Sequence, residues 1–70
     1  MKKIPVNSST IEALEYDYSN KSLYVYFVNG REYVYGNVPV EVYAKFLEAD
    51  SKGKYLNSEI VGKYNYVRLE

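Results

Sequence analysis

The chain contains no cysteine, no histidine and no tryptophan. Without cysteine there is no disulfide, and without cysteine and histidine there is no ordinary structural zinc site, so a 70-residue fold must hold itself together by packing alone. The same two absences remove the commonest general base and the best side-chain nucleophile, leaving Asp, Glu, Lys, Ser and Tyr for any chemistry. Net charge is also missing: nine basic residues balance nine acidic ones. Nothing therefore draws the whole chain towards a polyanion or an anionic membrane. No stretch approaches the roughly 20 apolar residues that span a bilayer, and the two lysines of Met1-Lys2-Lys3-Ile4-Pro5-Val6 precede no apolar run of the kind an export signal needs. A cytoplasmic location is expected.

Tyrosine is in excess, with ten residues against two Phe. Its large apolar ring and polar tip suit half-buried strands, interfaces and stacking on bases. A chain this short buries a small share of its surface, so one domain over residues 1–70 is the ceiling, and self-association into a homo-oligomer is a natural way to bury more.

Local patterning predicts an α+β domain, a three-stranded antiparallel meander packed on one main helix. Polar Asn7-Ser8-Ser9-Thr10 leads into a first strand, Ile11 to Tyr18. Ile11 and Ala13 lie on one phase and Leu14, Tyr16 and Tyr18 on the other, which a bulge near Ala13 reconciles. Ser19-Asn20-Lys21-Ser22 is a turn, and Leu23 to Val28 is the clearest strand. Asn29-Gly30 then starts a hairpin into Arg31 to Tyr35.

A strict two-residue loop pairs Tyr26 with Tyr33 and gathers four tyrosines on one face. A bulged loop with Gly30 in the left-handed region shifts the register by one and sets Tyr33 and Tyr35 beside Val25 and Phe27. Val38-Pro39 opens a helix with Pro39 at its first position, and Val40, Tyr43, Ala44 and Leu47 make one apolar stripe. The helix runs to about Asp50, and Ser51-Lys52-Gly53 stops it. Asn57 or Ser58 caps a short second helix that ends at Gly62. Tyr64 to Leu69 read as an extended tail along the sheet edge.

Together, Val6-x-Ser8-Ser9-x-Ile11, Tyr16-Asp17, Leu23-x-Val25-x-Phe27-x-x-Gly30, Tyr33-x-Tyr35, Val38-Pro39, Ser51-x-Gly53-x-Tyr55-x-Asn57-x-x-Ile60, Tyr64 and Arg68 resemble the KTSC domain. That small module is named after its place at the C-terminus of some lysyl-tRNA synthetases and also occurs as a stand-alone bacterial or phage protein. The resemblance covers residues 6 to 69, and the synthetase association implies RNA as a partner. Positions 24 and 26 are commonly polar in that family but are tyrosines here. This departure favours the shifted register, with Leu23, Val25, Phe27, Tyr33 and Tyr35 on the helix side and Tyr24, Tyr26, Val28 and Val34 outside.

Three groups of residues are candidate sites. Glu15 and Asp17 share a strand phase, but two acids on a strand are an ordinary solvated edge, and no phosphate-loop or dinucleotide fingerprint accompanies them. No enzyme activity, metal or cofactor is expected. Tyr24, Tyr26 and Val34, with Lys21 and Arg31 near the ends of the patch, are suited to stacking single-stranded bases or to a subunit contact. Ser51, Lys52, Gly53, Lys54, Tyr55 and Asn57, joined by Arg68 and the Ser8-Ser9 pair, offer N–H, hydroxyl and cationic donors to a phosphate. The expectation is a non-enzymatic module for RNA or a small nucleotide, which an oligomer could sequester. The alternative is a protein-interaction or inhibitor module, compatible with a phage origin, whose tyrosine patch docks on itself or on a host protein.

Overall fold

The computed structural model describes residues 2–69; Met1 and Glu70 lie outside them. One antiparallel meander forms the sheet, with strands adjacent in space in the order of the chain: β1 Lys3–Pro5, β2 Ile11–Asp17, β3 Ser22–Phe27, β4 Glu32–Tyr35 and β5 Tyr66–Arg68. The sheet therefore has five strands and not the expected three. β1 and β5 are the additions, each three residues long, and they take the two edges. The tail expected along the sheet edge is hydrogen-bonded into the sheet as β5.

The bulge lies where the phase change required it, between Ile11 and Ala13, and it turns both Ile11 and Leu14 into the core. The β3–β4 hairpin takes the shifted register, pairing Leu23 with Tyr35 and Val25 with Tyr33. Its loop explains the shift. The Phe27 carbonyl accepts from the Gly30 N–H at 3.0 Å, the Phe27 N–H donates to the Arg31 carbonyl at 2.8 Å, and Gly30 sits at φ 93°. These are the marks of a three-residue loop closed by a glycine bulge, so Asn29-Gly30 does not form the two-residue turn. Val28 consequently falls in the loop and not on the strand.

Helix α1, Val40–Glu48, lies on one face of the sheet. It buries Tyr43 and Phe46, with Val42 and Leu47 packed at the margins, whereas Val40 and Ala44 are exposed. The expected Val40–Tyr43–Ala44–Leu47 stripe is thus rotated. Packing the larger Phe46 ring into the core outweighs covering Val40 and Ala44. Pro39 is the residue before the helix, with ψ 147°, and not its first turn.

The second helix starts earlier than expected. Ser51 is its cap, its hydroxyl oxygen accepting the Lys54 N–H at 3.2 Å, so Ser51-Lys52-Gly53 begins a helix and does not end one. α2, Lys52–Tyr55, widens at once into a π-wound turn, Leu56–Ile60, closed by the Val61 N–H on the Leu56 carbonyl at 2.9 Å. Leu56 and Ile60 are both buried there, and Gly62 at φ 83° turns the chain towards β5.

The core is Ile11, Leu14, Tyr16, Leu23, Val25, Tyr35, Val38, Tyr43, Phe46, Leu56 and Ile60. Tyr16 anchors it. Its ring stacks on Tyr43 at 4.8 Å between centroids, and its hydroxyl donates to the Val38 carbonyl, which fixes the β4–α1 link against β2. Among the described residues no buried side-chain polar atom lacks a partner. Tyr16→Phe should keep the ring and strand that carbonyl, lowering stability by about 1–3 kcal/mol. Urea unfolding followed by circular dichroism measures it, and an unchanged midpoint would remove the hydroxyl from any structural role.

Candidate phosphate groove and open sheet face

Two chain segments distant in sequence meet where the loop between β1 and β2 passes the start of α2. Asn7, Ser8, Ser9 and Thr10 face Asp50, Ser51, Lys52 and Gly53 across a groove of about 250 Å³. The Ser8 oxygen accepts the N–H groups of Thr10 and Ile11, both at 3.1 Å, and the Ser51 oxygen accepts that of Lys54. A hydroxyl that accepts in this way still has its own proton to donate, so these contacts fix the oxygens and leave O–H donors for a ligand. The Lys52 ammonium donates to the Ala49 carbonyl, one of its three possible hydrogen bonds. Asp50 is the single acid on the wall.

The structure divides the residues expected at this site. Ser51, Lys52 and Gly53 do line one groove with the Ser8-Ser9 pair. Lys54, Tyr55, Asn57 and Arg68 do not line it. The Tyr55 ring stacks on Phe46 at 5.0 Å and its hydroxyl donates to the Val42 carbonyl at 2.9 Å, so it ties the two helices together. Lys54 and Asn57 are exposed on the second helical segment, and Arg68 lies on β5 opposite Tyr33. Asp50 was missed because, read as the last residue of the helix, it had no reason to face the serines.

The other sheet face is uncovered by any helix. Register across all five strands sets Lys3, Glu15, Tyr24, Val34 and Val67 in one row, with Pro5, Ala13, Tyr26 and Glu32 in the next. Tyr24, Tyr26 and Val34 therefore share this outer face, as expected. Arg31 stands in the hairpin loop at its rim, beside Lys3, Tyr26 and Glu32, while Lys21 sits in the β2–β3 turn at φ 55°.

The Tyr26 ring is already occupied. Its hydroxyl donates to Glu15 Oε1, and the Lys3 ammonium lies 4.2 Å from the ring centroid. A base stacking there must first displace that lysine. Glu15 is likewise engaged, and Asp17 accepts from the Ser19 N–H at 3.0 Å and the Asn20 side-chain amide at 2.8 Å, so each acid of the suspected pair has a local structural partner. No cluster of three metal-binding side chains exists among the described residues.

Sequence reasoning also overlooked the most exposed rings, Tyr18 and Tyr66, which are 69% and 57% accessible. Tyr18 stands edge-on to Tyr16 at 4.9 Å beside a hollow shared with Lys2, Ile4 and Tyr43. Tyr66 stacks on Tyr33 at 5.1 Å on the helix side of the sheet. The alternation of Tyr64, Tyr66 and Arg68 against Val67 and Leu69 was the available signal for the last strand.

A profile of the KTSC domain matches residues 7–64. The chain belongs to the KTSC domain family. Its fold agrees with the crystal structure of a KTSC domain protein from Yersinia pestis, which is 33% identical, with a TM-score of 0.92 over 99% of this chain and 97% of that one. A protein of Tsukamurella paurometabola is 38% identical over 93% of this chain and 97% of its own length. Another, from Stutzerimonas stutzeri, is 38% identical over the whole of both. In this KTSC domain, four residues of the family pattern, Ser8, Ser9, Ser51 and Gly53, line the groove. No helix among the described residues is long and apolar enough to cross a membrane.

Tyrosine burial has a measurable consequence at high pH. Desolvation, followed by the hydrogen bond to Glu15, pushes Tyr26 from its ordinary 10.0 to about 12, and burial also raises Tyr16, Tyr35, Tyr43 and Tyr55. A group whose folded pKa is raised stabilises the fold fully below its unfolded pKa, and that contribution is lost as pH rises through the folded value. The melting temperature should therefore change little on account of these tyrosines below about pH 9 and fall between about pH 10 and 12. Tyr26→Phe should flatten part of that fall, as thermal scans across the range would reveal.

Proposed function

We propose that the chain is a non-enzymatic binding module that takes the phosphate of RNA or of a small nucleotide in the Asn7–Thr10 and Asp50–Gly53 groove. One observation carries this reading. Hydroxyl-bearing residues of the family pattern, 40 or so positions apart, meet beside a lysine with two fixed oxygens, Ser8 and Ser51, that keep protons to donate. Phosphate oxygens accept, and strongly prefer donors that are already oriented. The absence of His and Cys from the sequence, and the occupation of Glu15 and Asp17 by local partners, support binding over catalysis.

The groove holds no aromatic side chain, so the ligand is gripped by its phosphate and the base carries little of the affinity. Sequence preference should accordingly be weak, and affinity should fall as salt rises. Titration of a single-stranded RNA oligomer and a cyclic dinucleotide, each at two salt concentrations, tests both points.

Two variants give opposite signs. Asp50→Asn removes the one negative charge from the wall and should tighten binding about two- to fivefold, while Lys52→Gln should weaken it by a similar factor, the range expected of a partly exposed charge contact. Both residues lie outside the buried core, so the fold should be unchanged. Indifference to every phosphate ligand, or equal responses of the two variants, sinks the proposal.

A further inference from the structure

The two edges of the sheet are protected unequally. On β1 the Val6 N–H donates inward to the Glu12 carbonyl at 3.1 Å, so strand alternation turns Lys3 and Pro5 outward. Proline has no N–H to offer a further strand, and lysine opposes apolar docking; both are common edge protections. β5 has neither. Three of the seven exposed large hydrophobic residues among those described lie in the single run Tyr66, Val67 and Leu69, with Val67 60% accessible. With no proline to interrupt it and apolar Val67 and Leu69 on either side of Arg68, this short edge is a template for another strand.

We propose that β5 is the seam of a homodimer, in which two copies pair edge to edge and antiparallel about a two-fold axis at Val67. The backbone phase is right for it. The Asn65 carbonyl accepts from the Gly36 N–H at 3.0 Å and the Leu69 N–H donates to the Glu32 carbonyl at 2.7 Å, so both face β4. Alternation then directs the N–H and C=O of Tyr66, and the backbone of Arg68, away from the sheet. With Val67 against Val67, Tyr66 of each copy meets Arg68 of the other as a reciprocally hydrogen-bonded pair. Centring the axis on Arg68 instead would set two guanidinium groups opposite each other, and centring it on Tyr66 would draw residue 64, which is outside the strand, into the pairing.

Side chains agree with the same alignment on both faces. On the helix side each Tyr66 ring comes beside a guanidinium, an arrangement that favours cation–π contact. On the open side the Val67 pair occupies the closely spaced, non-hydrogen-bonded position, where cross-strand side chains touch best. The row Tyr24, Val34 and Val67 of one copy then runs on into the same row of the other, covering the most exposed valine of the sheet. The contact is the same patch used twice, and it leaves only the two Pro5-bearing edges outside. Growth therefore stops at two copies and a ten-stranded sheet, with no open fibre.

Sedimentation of the full chain at high micromolar concentration should give the mass of a dimer. Val67→Lys and Val67→Glu each place like charges face to face at the axis and should weaken self-association by about tenfold or more. Because Val67 is exposed in the monomer, both variants should keep the wild-type circular dichroism and melting profile of the isolated subunit. Mixing the two variants should restore a heterodimer, since Lys then faces Glu. That rescue is specific to an axis at this residue. A monomeric wild type, a variant that stays dimeric, or a mixture that fails to associate overturns the proposal. None of these results bears on the phosphate groove, which lies on a separate surface and is read by its own titration.

Discussion

The hydroxyl of Tyr16 on the carbonyl of Val38 is the contact from which the arrangement of layers follows. A chain without disulfides or metal must join its sheet to its helix through packing and a few directional bonds. Val38 stands in the link between β4 and α1, just after Asn37 at φ 56°, where the path of the chain decides how the helix is aimed. Holding that carbonyl from β2 sets Tyr43 flat against the Tyr16 ring and lowers Phe46 into the core. Tyr55 repeats the device one layer out, stacking on Phe46 while its hydroxyl holds the Val42 carbonyl of the same helix. The tyrosine excess is thereby explained in part. At Tyr16 and Tyr55 the ring contributes apolar area while the hydroxyl holds a backbone carbonyl of the helical layer.

Much of this was legible in the sequence, and the parts that were not share a physical cause. Alternation read over six or seven residues located β2 and β3, and the phase slip between Ile11 and Leu14 located the bulge. The resemblance pointed to the shifted register, because positions 24 and 26 are commonly polar in that family and so belong outside, leaving Leu23, Val25 and Phe27 to share the helix side with Tyr33 and Tyr35. β1 left no comparable trace, and β5 is legible only as an extended edge tail, since three residues give one and a half periods and their place is fixed by hydrogen bonds to β2 and β4. The phase of α1 was misread because Ala44 completed an apolar stripe on paper, while volume in the core called for Phe46. Ser51-Lys52-Gly53 has the composition of a helix stop, yet the geometry of the Ser51 hydroxyl makes it a start.

The candidate site shows the same division. Ser8-Ser9 and Ser51-Lys52-Gly53 were recognisable as pieces, but their meeting is a tertiary fact about how the loop between β1 and β2 runs past the second helix. Arg68 and Tyr55 belonged to the same pattern for other reasons, one on an edge strand and one in the seam between helices. On the outer face the sequence identified Tyr26 but not Lys3 above it, because the lysine arrives from a strand that periodicity could not see. Lys3, Lys52 and Lys63 are each engaged by a neighbour in this neutral chain.

The π-wound turn from Leu56 to Ile60 carries a consequence for how this chain can change length. Such a turn is in effect an α-helix that has absorbed one additional residue. Removing one of its exposed residues, Asn57, Ser58 or Glu59, would leave a regular helix of better geometry. Because the wide turn takes up that residue locally, Leu56 and Ile60 would become an i, i+3 pair still sharing one face, and the chain beyond them would keep nearly the same phase. The widened turn therefore works as slack in the helical layer, a place where the chain can lose a residue without turning its apolar side away from the sheet.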